Sequence, residues 1–254
     1  MSKNEEWWRD PRHHFGAVTA DSPLYESPFI TEVVDFIVRA LDLRPGDRVL
    51  DVACGPARYA LEFARRGHDV YGLDVNPDYI QAGQERAARE GLEINLRVGD
   101  MRDLQPWDDM DVIYNIGTSL GFFPTERENR QVLVAMSEAL AVGGRLFLEQ
   151  INREWLMRNY LSYDEREDGD SMVVTQRTFD FVRGRNEVIH RRARVGQPDE
   201  VWGHSWRAYT LVELVTMLRA SGLSFATAYG DYDGSAYDLT SRRMIVVAEK
   251  QVGK

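Results

Sequence analysis

Three residues early in the chain have the types and the spacing of a nucleotide-binding site. Gly55 lies in a short turn directly after the apolar run at residues 49–52, and Asp51 lies inside that run. Asp74 ends a second apolar run, nineteen positions after Gly55. A glycine turn lets a ligand approach bare backbone, and an acid about 20 residues later is placed to accept hydrogen bonds from ribose hydroxyls.

The turn is too poor in glycine for a dinucleotide. Pyrophosphate is bound by G-x-G-x-x-G because it must sit on exposed amides at a helix N-terminus, whereas this chain has Ala53, Gly55 and Ala57. Asp51 beside the turn would repel a pyrophosphate and attract a cation. S-adenosylmethionine has no phosphate but a positive sulfonium and an ammonium group, so the sequence favours this cofactor. An α/β domain that binds NAD, or that binds nothing, is the alternative.

Several segments resemble successive motifs of the class I S-adenosylmethionine-dependent methyltransferases of the small-molecule type. They are residues 49–57, Asp74, residues 99–101 and residues 111–115. The resemblance covers roughly residues 30–150. The usual turn of that family is D-x-G-C-G-T-G, so Ala53 and Ala57 depart from it, and the departure bears on cofactor affinity.

The resemblance implies a set of residues that bind the cofactor. Asp100 would accept a hydrogen bond from the adenine amino group and Met101 would pack on the ring, although Met101 also suits an ordinary core position. Arg58, at the start of the helix after the turn, is a candidate for the cofactor carboxylate or for a surface role. The expected set is Tyr25, Asp51, Ala53, Gly55, Arg58, Asp74, Val75, Asp100, Met101 and Asn115.

Hydrophobic periodicity predicts the elements that must position these residues. Strands are expected at residues 49–52, 70–74, 94–98, 111–115, 145–149, 223–229 and 243–249, with amphipathic helices between most of them. Alternation of strand and helix implies an α/β fold with a doubly wound, mostly parallel sheet. The resemblance implies seven strands, Rossmann-like, with the last one antiparallel. Thr125 and Glu128 form a capping box for one helix, which Gly143 and Gly144 are expected to end.

The alternation stops after the fifth strand. Three strand patterns, at residues 171–178, 187–195 and 200–208, follow one another with turn residues between them. We interpret residues 153–209 as an antiparallel insertion that roofs the site, where substrate choice resides by resemblance. We divide the rest of the chain into an N-terminal lid segment at residues 1–29 and a methyltransferase-like core at residues 30–152 and 210–254.

Methyl transfer to such a cofactor is an in-line displacement, and it needs a base only if the attacking atom carries a proton at neutral pH. The candidate bases are His204, His14 and Glu149. His204 alternates with Trp202 and Trp206, so the three share one face of a strand. That face suits a substrate pocket, and it equally suits a half-buried structural histidine. The expected substrate contacts are Trp7, Thr118, Phe122, Trp202, Trp206 and Tyr232.

The composition of the chain restricts which binding partners and which cellular location are expected. The net charge is −10 and the pI is about 5.1, which argues against a large nucleic-acid footprint. Cys54 is the single cysteine, so a multi-cysteine metal site is excluded, and we expect no metal. No apolar run reaches the about 18 residues of a membrane span, and a cytoplasmic location is expected. A homodimer is compatible with the sequence.

The sequence therefore predicts a methyltransferase that acts on an N or O atom of a small metabolite. An RNA or protein methyltransferase is the first alternative, because Arg191, Arg192 and Arg194 follow one another on one expected strand. A protein that binds S-adenosylmethionine without catalysis is the second alternative, which the alanines at positions 53 and 57 support.

Overall fold

The computed structural model describes residues 19–251. The helices are α1 (Pro28–Ala40), α2 (Arg58–Arg65), α3 (Pro77–Glu90), α4 (Glu126–Ala139), α5 (Arg153–Arg158) and α6 (Leu211–Ala220). The strands are β1 (Arg48–Val52), β2 (Asp69–Asp74), β3 (Asn95–Val98), β4 (Met110–Asn115), β5 (Leu140–Ile151), β6 (Tyr163–Asp168), β7 (Ser171–Asp180), β8 (Arg185–Arg194), β9 (Glu200–Arg207), β10 (Leu223–Tyr229) and β11 (Arg243–Lys250). Most of the expected lid segment lies outside the described residues.

Seven strands form one sheet in the order β3-β2-β1-β4-β5-β11-β10. Strands β1 to β5 are parallel, and β11 is antiparallel to both of its neighbours. The predicted fold class is therefore confirmed, including the antiparallel last strand. Because β11 runs against β5, its first residue, Arg243, pairs with Ile151 at the edge where the parallel strands end. Ligands bind at this edge in open α/β sheets.

Side chains alternate between the two faces of the sheet, and each face has its own core. Leu50 and Val52 pack with α4 and α6, whereas Val49 packs with α1 and α2 on the opposite face. Asp51 follows Val49 by two positions and Glu149 follows Phe147 by two, so both carboxylates point to the α1 side. The sheet thus directs two acids to one side of its ligand-binding edge.

The end of α4 differs from the prediction. The capping box of Thr125 and Glu128 begins the helix as expected. The helix ends at Ala139, however, and β5 already begins at Leu140. A Cβ added to Gly144 would lie 2.8 Å from the carbonyl oxygen of Met110. The glycine is therefore needed for close approach of two strands and does not end the helix.

The insertion forms a separate antiparallel sheet in the order β6-β7-β8-β9. Three of these strands were predicted from the sequence, whereas β6 and the short helix α5 were not. Strand β6 is mostly charged and exposed, so it has no hydrophobic alternation, and its pairing with β7 defines it. Periodicity detects burial, and an exposed edge strand has little of it.

Two arginines join the insertion to the loop after β4. The backbone N–H of Arg207 donates to Gly121 O at 2.9 Å, and Arg185 Nη1 donates to Phe123 O at 2.8 Å. Arg207 also forms ion pairs with Glu126 and Glu213. Hydrogen bonds to charged groups stabilise by about 1.5–3 kcal/mol each, so the position of this loop depends on the insertion. No helix within residues 19–251 has the length and apolar character of a membrane span.

Candidate active site

A cavity of about 320 Å³ lies at the edge where the parallel strands end. It is lined by the β1–α2 turn, the ends of β2 and β3, the loop after β4, and residues of β5 and β11. Of the residues singled out from the sequence, it contains Asp51, Ala53, Gly55, Arg58, Asp74, Val75, Asp100, Met101, Phe122, Glu149 and Tyr232.

The β1–α2 turn has a left-handed backbone at three positions. The φ angles are +60° at Ala53, +55° at Gly55 and +62° at Ala57. A residue with a Cβ in this region costs roughly 1–2 kcal/mol, so the two alanines store strain that glycine would avoid. The turn is nevertheless fixed, because Cys54 N–H donates to Leu73 O at 2.9 Å.

Tyr25 supports this turn from behind. Its hydroxyl donates to Pro56 O at 2.9 Å, and its ring is buried against α2 and α3. Tyr25 is not among the residues that line the cavity, so its expected contact with the cofactor stays a prediction. Its hydrogen bond restrains the turn that faces the cavity.

Asp74 closes the turn from the end of β2. One carboxylate oxygen accepts the Gly55 N–H at 2.8 Å and the other accepts the Asn76 N–H at 2.9 Å. Burial raises the pKa of Asp74. Each oxygen retains acceptor capacity, so the carboxylate is available to ribose hydroxyls while it holds the backbone.

Asp51 is a buried acid with one oxygen bonded to the protein. The side chain is 3% exposed, and Oδ2 accepts the Tyr114 hydroxyl at 2.8 Å. Within residues 19–251, no hydrogen bond reaches Oδ1, and the residue lines the cavity. Burial raises the pKa of Asp51 to about 8. A cation in the cavity would therefore stabilise the ionised form.

The far end of the cofactor side contains Asp100 and Met101. Arg102 holds Asp100 through its backbone N–H at 2.9 Å and its Nη2 at 2.6 Å. The same guanidinium lies 4.2 Å from the centre of the Phe123 ring. The predicted contact between Asp100 and adenine would have to share this carboxylate with Arg102, and it stays a prediction.

The opposite end of the cavity is built around Glu149 at the end of β5. Its side chain is 8% exposed, and Oε2 accepts the Gly117 N–H at 2.7 Å. Its Oε1 lies 3.5 Å from Arg243 Nε, and Arg243 Nη1 donates to Asp231 at 2.8 Å. Burial raises the pKa of Glu149. Tyr232 lines the cavity beside this group, with its ring 5.1 Å from the Arg243 guanidinium.

Two residues expected at the site have structural roles. Asn115 is fully buried, and its Nδ2 donates to Val52 O at 2.6 Å, so it joins the ends of β4 and β1. Thr118 Oγ1 accepts the Ile151 N–H at 3.0 Å and joins the loop after β4 to β5. Neither residue lines the cavity, because the hydrogen bonds of the adjacent strand ends direct both side chains into the protein.

The histidine and the two tryptophans on β9 also do not line the cavity. The register places Trp202 opposite His190, and His190 stacks on both Trp202 and His204 at centroid distances of 5.1 and 5.4 Å. Strand register therefore directs His204, Trp202 and Trp206 to the face of the insertion sheet, and a catalytic role for His204 has no support from the cavity. Trp7 and His14 lie outside the described residues.

The cavity also contains residues that the sequence analysis missed, above all Arg243, Tyr59 and Phe29. A signal for Arg243 was present: an antiparallel last strand must begin at the ligand-binding edge, so its first residue belongs there. Tyr59 follows Arg58 directly in α2, but nothing in the local pattern distinguishes it from a core tyrosine. Phe29 is the second residue of α1, and only the packing of that helix brings it to the cavity.

The fold and the site together define a class of protein. The strand order, the turn after β1 and the carboxylate at the end of β2 that holds this turn are features of the class I methyltransferase fold, although the turn has alanine at positions 53 and 57. The residues present also fit S-adenosylmethionine. A cation in the cavity would stabilise the ionised form of the buried Asp51, and the N–H groups of Cys54 and Gly55 already donate to Leu73 O and Asp74, so they are not available to a pyrophosphate.

Comparison with known proteins agrees. Residues 49–144 match the family model described as a methyltransferase domain. A putative methyltransferase of Geobacillus sp. (strain WCH70), GWCH70_2453, is 25% identical over 80% of this chain and 84% of its own length. Several other curated methyltransferases match over only 12% to 49% of their own length.

Solved structures share the fold over nearly the whole chain. The CcbJ methyltransferase from Streptomyces caelestis has a TM-score of 0.78 and 18% identity, and the match covers 98% of this chain and 100% of that one. The S-adenosylmethionine-bound structure of CalS10 from Micromonospora echinaspora, an amino pentose methyltransferase, has a TM-score of 0.66 and 24% identity, over 91% and 93% of the two chains. Residues 49–144 therefore form a class I S-adenosylmethionine-dependent methyltransferase domain, and S-adenosylmethionine is its cofactor.

Proposed function

We propose that the protein transfers the methyl group of S-adenosylmethionine to an N or O atom of a small metabolite. One observation carries this proposal: a single cavity has cofactor-type residues at one end and a second buried acid, Glu149, at the other. A structural neighbour, CalS10, is described as an amino pentose methyltransferase, which supports a small acceptor.

The residues of the cavity divide the binding of the cofactor among them. In this proposal Asp74 accepts hydrogen bonds from the ribose hydroxyls, Asp51 faces the positive charge, and Arg58 binds the carboxylate. Asp100 and Met101 contact the adenine. The cofactor supplies a methyl group on a positively charged sulfur, which is an activated leaving group.

The protein contributes alignment of the two reactants and exclusion of water. The turn at Gly55 is restrained by Asp74 in front and by Tyr25 behind. The loop after β4 is restrained by Thr118 and by Glu149. Both walls of the cavity are thus fixed before a ligand arrives, which reduces the entropy lost in reaching the reactive arrangement.

Calorimetric titration of the full chain with S-adenosylmethionine and with its demethylated product, S-adenosylhomocysteine, tests the proposal. We expect both to bind in the micromolar range, and we expect turnover of S-adenosylmethionine in the presence of a metabolite pool. If neither compound binds, the proposal fails. Binding without any turnover would favour the non-catalytic alternative.

A nucleic-acid acceptor has weaker support. Arg191, Arg192 and Arg194 each form an ion pair with a carboxylate of the insertion sheet or its turns, so their charge is already compensated. Substrate binding through phosphates would weaken steeply with salt. A salt titration with RNA therefore separates this alternative from a small-molecule acceptor.

We also propose the domain division given by the sequence, with a lid at residues 1–29 and the insertion at residues 153–209 above the core. Deletion of residues 1–18 tests the lid: the affinity for S-adenosylhomocysteine should fall if this segment covers the cofactor. Unchanged affinity would contradict it. A cytoplasmic location and a homodimer remain proposals, to be tested by fractionation and by sedimentation.

A further inference from the structure

Glu149 is an incompletely bonded acid in the wall of the cavity. The residue is 8% exposed, and its Oε2 accepts the Gly117 N–H. Its Oε1 has one charged neighbour, Arg243 Nε at 3.5 Å, and no hydrogen bond within residues 19–251. An oxygen of a largely buried carboxylate that has an ion pair but no hydrogen bond gains free energy when a donor reaches it. A ligand that donates a hydrogen bond to Glu149 Oε1 would therefore supply the missing interaction.

The charges around Glu149 determine which ligand fits. Arg243 is shared between Glu149 and Asp231, so two carboxylates face one guanidinium. Arg243 therefore compensates the charge of Glu149 only in part, which favours a cation over an anion beside this carboxylate. Asp51 has the same arrangement at the cofactor end, with one oxygen bonded to the protein and the other toward the cavity.

Aromatic side chains complete this end. Tyr59, Tyr232 and Phe29 line the cavity, and Phe29 and Tyr232 make an edge contact at 5.6 Å between ring centres. Aromatic rings attract cations and pack against apolar carbon atoms. The subsite thus suits a compact carbon skeleton that carries one positive group.

We propose that the acceptor is a small amine, bound as its ammonium ion with an N–H donated to Glu149 Oε1, and that the methyl group goes to that nitrogen. This inference rests on the proposed function and narrows it from an N or O atom to N. It also assigns Arg243, Tyr59 and Phe29 to the acceptor subsite.

The chemical step balances with the groups present. One proton of the ammonium passes to Glu149 Oε1 and leaves a lone pair on nitrogen. That lone pair forms the bond to the methyl carbon as the carbon–sulfur bond breaks, and the electron pair of the broken bond stays on sulfur. The nitrogen then has the positive charge that sulfur has lost, and Glu149 releases its proton to solvent when the product leaves.

The test uses three matched probes: cyclohexylamine, cyclohexanol and cyclohexanecarboxylate. Each is titrated by ligand-observed NMR into the full chain saturated with S-adenosylhomocysteine. A hydrogen bond between charged groups predicts that the amine binds about tenfold or more tightly than the alcohol. The carboxylate should bind least tightly of the three.

Glu149→Gln is the matched variant, because the amide oxygen can still accept the Gly117 N–H while the negative charge is lost. It should reduce amine binding to the level of the alcohol and leave the affinity for S-adenosylhomocysteine within about twofold, since the interaction removed is local. Glu249→Gln makes the same chemical change at the exposed far end of β11 and should change nothing.

The inference is overturned if the alcohol or the carboxylate binds the wild-type complex as tightly as the amine, or if no amine binding is detected. These measurements use the wild-type protein alone, so they can overturn the inference even if the Glu149→Gln protein folds poorly. Retention of the amine preference in a folded variant would also overturn it. Failure of S-adenosylhomocysteine to bind would instead contradict the proposed function itself.

Discussion

The two ends of the cavity are built in different ways. At the cofactor end, Asp74 bonds to Gly55 across 19 residues, within one strand–turn–helix–strand unit. At the acceptor end, Glu149 bonds to Gly117 across 32 residues, and Arg243 comes from the last strand of the sheet. The first end is a local motif, and the second is a product of topology. This difference explains why the cofactor could be predicted from the sequence and the acceptor could not.

The two ends nevertheless share one structural feature. Each has a buried carboxylate on the α1 side of the sheet, with one oxygen bonded to the protein and one toward the cavity. Desolvation makes such an acid sensitive to the charge of whatever enters. Variants that affect one end and spare the other therefore test whether the ends are independent.

The largest effect is expected for Asp74→Ala, at the cofactor end. The change removes the acceptor for the ribose and for two backbone N–H groups, which should weaken S-adenosylmethionine binding by about 1.5–3 kcal/mol or more. Calorimetry measures the loss. Asp69→Ala, at the exposed start of the same strand, is the control. Equal affinity of wild type and Asp74→Ala would remove Asp74 from the cofactor site.

The next effect is the pH dependence that Asp51 imposes. Its pKa is raised from 3.8 to about 8 in the folded protein, so in the absence of ligand the folded state holds a proton that the unfolded state has lost. Stability should therefore fall as pH rises through this window, and Asp51→Asn should reduce the fall, to which Asp74 and Glu149 also contribute because burial raises their pKa values. Denaturation at several pH values measures it, with the exposed Asp42→Asn as the control.

Cofactor binding gives a second measurement of the same group. A cation beside Asp51 favours its ionised form, so binding near neutral pH should release up to about one proton. Calorimetry in buffers of different ionisation enthalpy detects the released proton. The measurement is made at a pH below about 7.7, the pKa of an α-amino group, so that such a group stays protonated throughout. The release should be absent in Asp51→Asn. The same release in both proteins would show that another group titrates.

A smaller effect is expected for Thr118→Val, at the acceptor end. Valine keeps the branched shape, but the partly buried Ile151 N–H loses its acceptor, at a cost of about 1–3 kcal/mol. Denaturation should show this loss, while the affinity for S-adenosylhomocysteine stays close to that of wild type. Thr216→Val on the exposed side of α6 is the control, expected within about 0.5 kcal/mol. A large loss of cofactor affinity would mean that the two ends are coupled.

The smallest effect is expected for Ala53→Gly. Glycine relieves a left-handed backbone that costs roughly 1–2 kcal/mol, and it loses about 0.4–1 kcal/mol because the unfolded chain gains freedom. The variant should therefore be as stable as wild type or more stable by up to about 1.6 kcal/mol. Ala87→Gly, inside the right-handed helix α3, should lose about 1 kcal/mol. Destabilisation of Ala53→Gly to the same extent would show that the turn is not strained.

The sequence by itself determined which segments form the main sheet, that most of these strands are parallel, and where the cofactor turn lies. Strand periodicity, helix caps such as Thr125 and the interval from Gly55 to Asp74 are all local, and backbone sterics with side-chain alternation convert them directly into structure. An exposed strand such as β6 left no such trace, because little of it is buried.

Only the tertiary structure decided what lies opposite the cofactor. His204 and Trp202 had the pattern of a pocket, but strand register placed them against His190 on the insertion sheet. Phe29 had no pattern, and Arg243 had only the indirect signal of an antiparallel last strand; a packed helix and that strand brought them to the cavity. The physical reason is distance along the chain: side chains that meet only when strands pair carry no mutual signal in the sequence, because each is positioned by contacts with a different part of the protein.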